Sequence, residues 1–331
     1  MKRHNYFICA AFAVAATVAC DPAEDQPKDF PVVGEIALSG ESTNAATNSW
    51  YPGEKLGVFV TSDGLTQSNL LYTPSETCAD NSVLLDENDP TSKYWMFGDP
   101  VGNVALTASA EKAGFKQGVH NVYAYSPYNA AATDVTAVPM PDLTKQDELT
   151  FRGQTTNPAL SFVYASKVVE EYTSAPVDLG TFTCVTMALN TGSIEFSGQE
   201  SELVGKKLVK MVVTADKPIA YSNAKFNLVE KSISGTSAPV EVTTNQEIKA
   251  SEGLDFVTMQ SVTIYSTGDP VKFVIIAPAS LDELQSMKFN FTAVLDDNSE
   301  WTVSEVSPNV MNIGGSTLIT FGGKVVGLTK K

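Results

Sequence analysis

Apolar side chains fall at every second position through many short runs of this chain, and each run is closed by Gly, Pro, Asn or Asp within a few residues. A period of two belongs to strands with one buried face, and the closing residues are those that tight turns require. Strands are predicted over residues 30–39, where Ile36 and Leu38 alternate with polar neighbours, and over 56–60, entered through a Pro52-Gly53 turn. Others are expected at 70–72, 104–109, 119–125, 160–165, 180–189, 193–196, 207–214, 225–229, 257–265, 271–277, 287–295, 301–306 and 317–321. Asp296-Asp297-Asn298-Ser299 reads as the turn of a hairpin. Helical spacing is confined to 168–172 and 281–285, and 40–49, poor in apolar residues, reads as a loop.

Many short strands without a repeat of fixed period predict an all-β fold of two β-sandwich domains in tandem. The alternation lapses at Tyr172-Thr173-Ser174-Ala175-Pro176, which puts the boundary near residue 175, between an N-terminal domain at 34–175 and a C-terminal one at 176–331.

The first nineteen residues follow another rule. Met1, Lys2, Arg3 and His4 form a basic start, and 8–19 are an apolar stretch too short to remain as a membrane-spanning helix, so 1–19 read as an export signal. The stretch ends at Thr17-Val18-Ala19-Cys20 and gives way at once to Asp21, Glu24 and Asp25. Thr17 to Cys20 resembles the lipobox of bacterial lipoproteins. That resemblance implies that Cys20 takes a diacylglycerol, becomes the first residue after cleavage and holds the chain to a membrane by long acyl chains such as palmitate. The acidic flank resembles the surface-export tag of Bacteroidetes lipoproteins, which implies the outer face of the outer membrane. Pro22, Gln26, Pro27 and Lys28 suit a solvated tether over 20–33 equally well.

Charge and rare residues narrow the chemistry. The net charge is −16, and removal of 1–19 takes away Lys2 and Arg3 but no acid, leaving −18. Such a surface repels nucleic acid and anionic headgroups. Roughly 310 residues then remain, more than one core commonly serves. Beyond the signal, every mechanism needing an imidazole would fall to His120, which sits in the alternating run Gly118 to Tyr125 and reads as a strand side chain. Cys78 and Cys184 are either a disulfide or two separate buried thiols.

Trp50-Tyr51-Pro52-Gly53-Glu54-Lys55-Leu56-Gly57-Val58-Phe59 resembles the Trp-to-Gly and Gly-to-aromatic segment of fimbrillin-like proteins, the type V pilus subunits of Bacteroidetes. Asn121-Val122-Tyr123-Ala124-Tyr125-Ser126-Pro127-Tyr128 is similar to that family's Tyr-Ala-Tyr strand and turn. Phe162-Val163-Tyr164-Ala165 resembles a third element, with Ser161 where the family has aspartate. Lys217 to Ala220 and Phe273 to Pro278 look like weaker C-terminal counterparts. Trp50, Phe59, Tyr123 and Tyr125 are expected to bury their rings between sheets.

The resemblance implies tandem transthyretin-like domains exported as a lipoprotein precursor. In polymerising members a protease removes the first strand, and an extended strand of another subunit fills the opened groove. Carried onto this chain, Ile36 and Leu38 are candidates for the removable strand, and Leu318, Ile319, Thr320 and Phe321, with Val325 and Val326, for the donor; both segments read equally well as permanent strands. The partners implied are other fimbrial subunits, the outer membrane through the lipid on Cys20, and a host or bacterial surface ligand. Two departures stand out. The histidine that the family often carries near residues 182–188 is absent, and no arginine lies between Cys20 and Phe151, so an arginine-specific protease cannot free the first strand.

Two other function classes compete. A glycan-binding surface lipoprotein would display Trp95 and Trp301 as flat platforms, although buried core positions suit both. A hydrolase would use paired carboxylates from Asp86, Glu87 and Asp89 or from Asp282 and Glu283, but these lie in turn-like contexts typical of solvated faces. No catalytic residue, cofactor or metal site is predicted, since 86–89 lack the ligand spacing and glycine of an EF-hand loop.

Overall fold

The computed structural model describes residues 38–41, 50, 52–62, 65–77, 83–84, 93–94, 102–111, 113–114, 118–147, 158–170, 176–192, 194–197, 200–255, 260–267, 270–313, 316–321 and 327–331. Cys20, Ile36, Cys78, Trp95, the carboxylates at 86–89, Val325 and Val326 lie outside the described residues. Within them the chain is all-β, with short α-helices only at Glu200–Leu203 and Leu281–Ser286. The second of these was expected. Ser280 caps it, its hydroxyl accepting from the Glu283 N–H at 3.1 Å, while Glu283 accepts from the Ala279 N–H at 2.8 Å.

The largest sheet has eight strands, in the order Val177–Thr181, Leu38–Glu41, Val104–Ala108, Leu65–Pro74, Leu56–Ser62, His120–Ser126, Val163–Val169 and Thr183–Cys184. It curls so that Val163–Val169 approaches Val177–Thr181. The strand Leu56–Ser62 explains how the sheet is held. Leu56, Val58 and Val60 face an inner core with Val122, Ala124, Val163 and Leu106. Its alternate residue Phe59 faces a separate outer core with Tyr125, Phe162 and Phe226. A strand buried on both faces reads as the near-continuous apolar run seen in the sequence.

The outer core is roofed by a hairpin from later in the chain, Tyr221–Asn227 with Ser232–Ser237, to which Val138–Pro139 adds a third strand. Rings stack across the junction, Phe59 on Tyr125 at 6.1 Å and Tyr125 on Phe162 at 5.9 Å, with Phe226 against Phe162 at 5.4 Å. The second large core lies under a six-stranded sheet ordered Thr329–Lys330, Glu300–Val306, Phe289–Leu295, Lys207–Ala215, Val240–Glu247 and Lys145–Asp147. Facing it are a four-stranded sheet, Lys272–Ile276, Thr186–Asn190, Ser316–Thr320 and Asn309–Ile313, and a three-stranded one, Glu195–Phe196, Gln260–Ser266 and Lys249–Asp255.

Several expectations change. The spacing read as helical over 168–172 belongs, up to Val169, to a strand whose last pair is Val169 with His120; ladder hydrogen bonds outweigh a weak local period. The run 180–189 is three strands, because its residues pass from one sheet to another. Ser232–Ser237, Val240–Glu247 and Lys249–Asp255 were not anticipated, the first being nearly all exposed and polar. Trp301 is 1% exposed, edge-on to Phe196 at 6.0 Å, and is no glycan platform.

Gly57 sits opposite Tyr125 in the ladder, where an added Cβ would overlap the Tyr125 ring. Gly57→Ala should therefore cost about 3 kcal/mol, read as a lower urea midpoint at unchanged slope. Tyr125 itself donates its hydroxyl to Asn69 Oδ1 at 2.7 Å. Burial above all, opposed by the Asn129 backbone and helped by nearby Tyr128, pushes the phenol up to about 12 from 10.0. Because the folded value lies above the unfolded one, this contribution to stability is complete below pH 10 and falls as the pH rises toward 12. Denaturant titrations at pH 9 to 12 should show that loss, and Tyr125→Phe should flatten part of it.

Candidate strand-exchange site

The strand Leu38–Glu41 is the part of the predicted removable segment that falls among described residues, and it does not lie on a sheet edge. It is wedged between two strands that do not pair with each other. On one side it runs antiparallel to Val104–Ala108, with Leu38 opposite Leu106 and Gly40 opposite Val104. On the other it runs parallel to Val177–Thr181, with Leu38 opposite Val177 and Ser39 opposite Asp178. Adjacent strands sit about 4.8 Å apart, so withdrawal of this one would leave two unpaired backbone edges about 10 Å apart.

The floor of that slot is apolar. Val104, Leu106, Val177 and Leu179 are all buried in the inner core with Trp50 and Phe182. Trp50 and Phe182 meet edge to face at 5.1 Å, and the chain leaves Trp50 through a turn in which Gly53 takes a φ of 81°. The Pro52-Gly53 turn thus leads the chain from Trp50, in the inner core, toward Leu56. Above the slot, Asn103 Nδ2 donates to Asp178 Oδ1 at 3.3 Å, a side-chain link between the two walls.

The ladder is irregular at one point. Its register shifts between Ser39 and Glu41, and the opposite wall accommodates this at Gly180, whose φ of 68° is left-handed. Asp178 fixes the irregularity, its carboxylate accepting from the Gly180 N–H at 2.8 Å.

The candidate donor residues that fall among the described ones are built into this chain's own fold. Leu318, Ile319 and Thr320 lie on Ser316–Thr320, antiparallel to Asn309–Ile313. That hairpin joins Thr186–Asn190 through a single pair, Asn190 with Thr320. Phe321 donates its N–H to the Asn190 carbonyl at 2.8 Å, and its ring lies 4.9 Å from that of Phe289 and 5.0 Å from that of Phe291. The candidate removable strand Leu38–Glu41 and the candidate donor strand Ser316–Thr320 belong to different sheets of the same molecule.

The remaining candidates take structural positions. His120 is buried, with Nδ1 2.9 Å from the Gly118 carbonyl, and burial lowers its pKa. Cys184 carries a free thiol that donates to the Thr186 carbonyl at 2.7 Å, and burial pushes its pKa up. Glu283 is held below the usual carboxylate range by Lys217, whose Nζ lies 2.6 Å from Oε1. Among the described residues no group of three or more His, Cys, Asp or Glu is arranged to hold a metal ion. The Asn103 to Asp178 link and the Gly180 irregularity were missed in the sequence, where Asp178-Leu179-Gly180 is an ordinary turn signal.

No family model and no curated protein matches the chain. Among solved structures it is similar to a candidate cell adhesion protein from Bacteroides uniformis at 14% identity and a TM-score of 0.41, over 88% of this chain and 97% of that one. It is also similar to a fimbrial assembly protein from Parabacteroides distasonis at 12% identity and a TM-score of 0.32, over 86% of this chain and 94% of that one. A fimbrial protein from Bacteroides vulgatus matches at 10% identity and a TM-score of 0.29, over 86% of each chain.

Gly180→Val should lower stability by about 1 to 2 kcal/mol, since a β-branched residue is strained at positive φ. Hydrogen exchange should show the loosening concentrated in Val177–Thr181 and Leu38–Glu41, while the six-stranded sheet keeps its protection.

Proposed function

We propose that this chain is a structural and adhesive component of a cell-surface fimbria, a subunit or a lipid-anchored base, joined to other fimbrial subunits by strand exchange. The observation that carries the reading is the placement of Leu38–Glu41, an interior strand over an apolar floor. Its removal exposes two backbone edges and apolar side chains in one slot, which is the arrangement that β-augmentation fills. The ordered motifs that resemble fimbrillin-like proteins support the same reading. Thr17 to Cys20 adds lipid attachment and an outer-membrane location, with the acidic tether over 20–33 spacing the fold from the surface.

Energetics favour the C-terminal hairpin as donor on one condition. Pulling Phe321 out of its core forfeits about 2 to 3 kcal/mol of apolar burial. Ile319 and Phe321 occupy alternate positions and share one face of an extended strand, so insertion into a slot floored by Leu106 and Val177 buries the ring again. Each ladder hydrogen bond gained adds about 1 kcal/mol. Leaving its place also breaks the pairing of Ser316–Thr320 with Asn309–Ile313, so the exchange is near balance only once the first strand is gone, and while that strand fills the slot a precursor stays single. With no arginine between Cys20 and Phe151, cleavage falls to a protease of other specificity, or the strand is retained and the chain serves as the anchor.

Two forms separate these outcomes. A chain beginning at residue 50 should form ladders of oligomers that survive detergent without heating, whereas a chain beginning at Cys20 should elute as a monomer. A truncated chain that folds and stays monomeric overturns strand exchange. Mass spectrometry of protein taken from cells should find either an acylated Cys20 or an N-terminus near residue 50; an unmodified Cys20 on the full chain removes the lipid anchor.

A further inference from the structure

The segment 138–147 belongs in sequence to the first half of the chain, yet its strands complete sheets of the second. Val138–Pro139 pairs with Tyr221–Asn227, and Met140 donates its N–H to the Ala224 carbonyl at 3.0 Å. Seven residues on, Lys145–Asp147 lies parallel to Val240–Glu247 as the edge of the six-stranded sheet, with Glu241 donating its N–H to the Thr144 carbonyl at 2.9 Å. Side chains follow the backbone. Val138 and Met140 are buried in the outer core, and Leu143 is buried in the second large core.

Gln146 is the fastening. Its side chain is 5% exposed in relative terms and behaves as an extra peptide group. Nε2 donates to the Val274 carbonyl at 2.7 Å and to the Leu143 carbonyl at 2.8 Å, while Oε1 accepts from the Val274 N–H at 2.8 Å. The amide thus pairs both ways with the middle of Lys272–Ile276, a strand of the facing sheet, so one short segment ties the two layers of the second half together. Traffic runs the other way as well. Val177–Thr181 and Thr183–Cys184, which follow residue 175, complete the eight-stranded sheet of the first half.

We infer that residues 138–147 act as a strap that makes the two halves of this chain one cooperative unit, with Gln146 as its buried anchoring residue. A joint of this kind passes a pull on one half into the other without a hinge. A buried amide serves here better than an apolar residue would, because the Val274 N–H and carbonyl need partners that only a donor and an acceptor on one side chain supply. The inference is independent of strand exchange and holds for a monomer.

Native-state hydrogen exchange over a denaturant series, on the chain from Cys20 to Lys331, tests it. In the unaltered protein the slowest amides of His120–Ser126 and of Lys207–Ala215 should open with one common denaturant dependence. In Gln146→Met, which keeps length and volume but loses all three hydrogen bonds, the two sets should separate by about tenfold in rate, with Lys272–Ile276 in the faster set. Separate openings in the unaltered chain overturn the inference without any variant. So does an equal acceleration of both sets in Gln146→Met, which would make the residue a source of stability and not of coupling. Monomeric behaviour of the chain beginning at residue 50 would leave this result untouched.

Discussion

A row of stacked rings joins the parts of this molecule that the chain keeps far apart. Phe59, Tyr125 and Phe162 stand side by side on the outer face of the eight-stranded sheet, and Phe226 reaches them from a hairpin more than sixty residues later. Because Leu56, Val58 and Val60 on the same strand face the opposite way into the inner core, the middle of the sheet is apolar on both sides. A sheet so placed cannot be left with one wet face. It needs a roof, and most of the roof comes from the second half of the chain, with Val138–Pro139 from the first.

That requirement accounts for the tight packing around Tyr125. Its ring lies over Gly57, its hydroxyl donates to Asn69, and Asn69 in turn donates to the Asn129 carbonyl at 2.8 Å from a backbone φ of 54°. A glycine, an asparagine in the left-handed region and a phenol are fitted together so that a polar group at the bottom of an aromatic layer keeps its partners. Burying a tyrosine there without them would cost more than its ring contributes.

Much of the strand content was legible from alternation alone, and for a physical reason: where one face is buried, the period of two is forced. Phe289–Leu295 follows that rule throughout and Lys207–Ala215 follows it apart from a register shift between Leu208 and Lys210; the hairpin turn was legible from its polar residues, and there Asn298 takes a φ of 62°. Ser232–Ser237 escaped because little of it is buried, and nothing in its composition separates it from a loop. Lys145–Asp147 escaped for another reason. A three-residue edge strand pairing with a partner nearly a hundred residues away has no local signature, and the significance of Gln146 exists only once Val274 stands opposite. Of the candidate site, the apolar residue at position 38 could be read, but its place between two walls could not, since one wall comes from residues 177–181 and pairs in parallel.

The break in register between Ser39 and Glu41 bears on which strands the slot can accept. Gly180 takes its left-handed φ of 68° at that level, and the resident strand has Gly40 there. Under the proposed strand exchange, an incoming segment would meet this break in register as well as the apolar floor. Shape at a single point would then sort rightful occupants from the many alternating sequences that greasiness alone would admit.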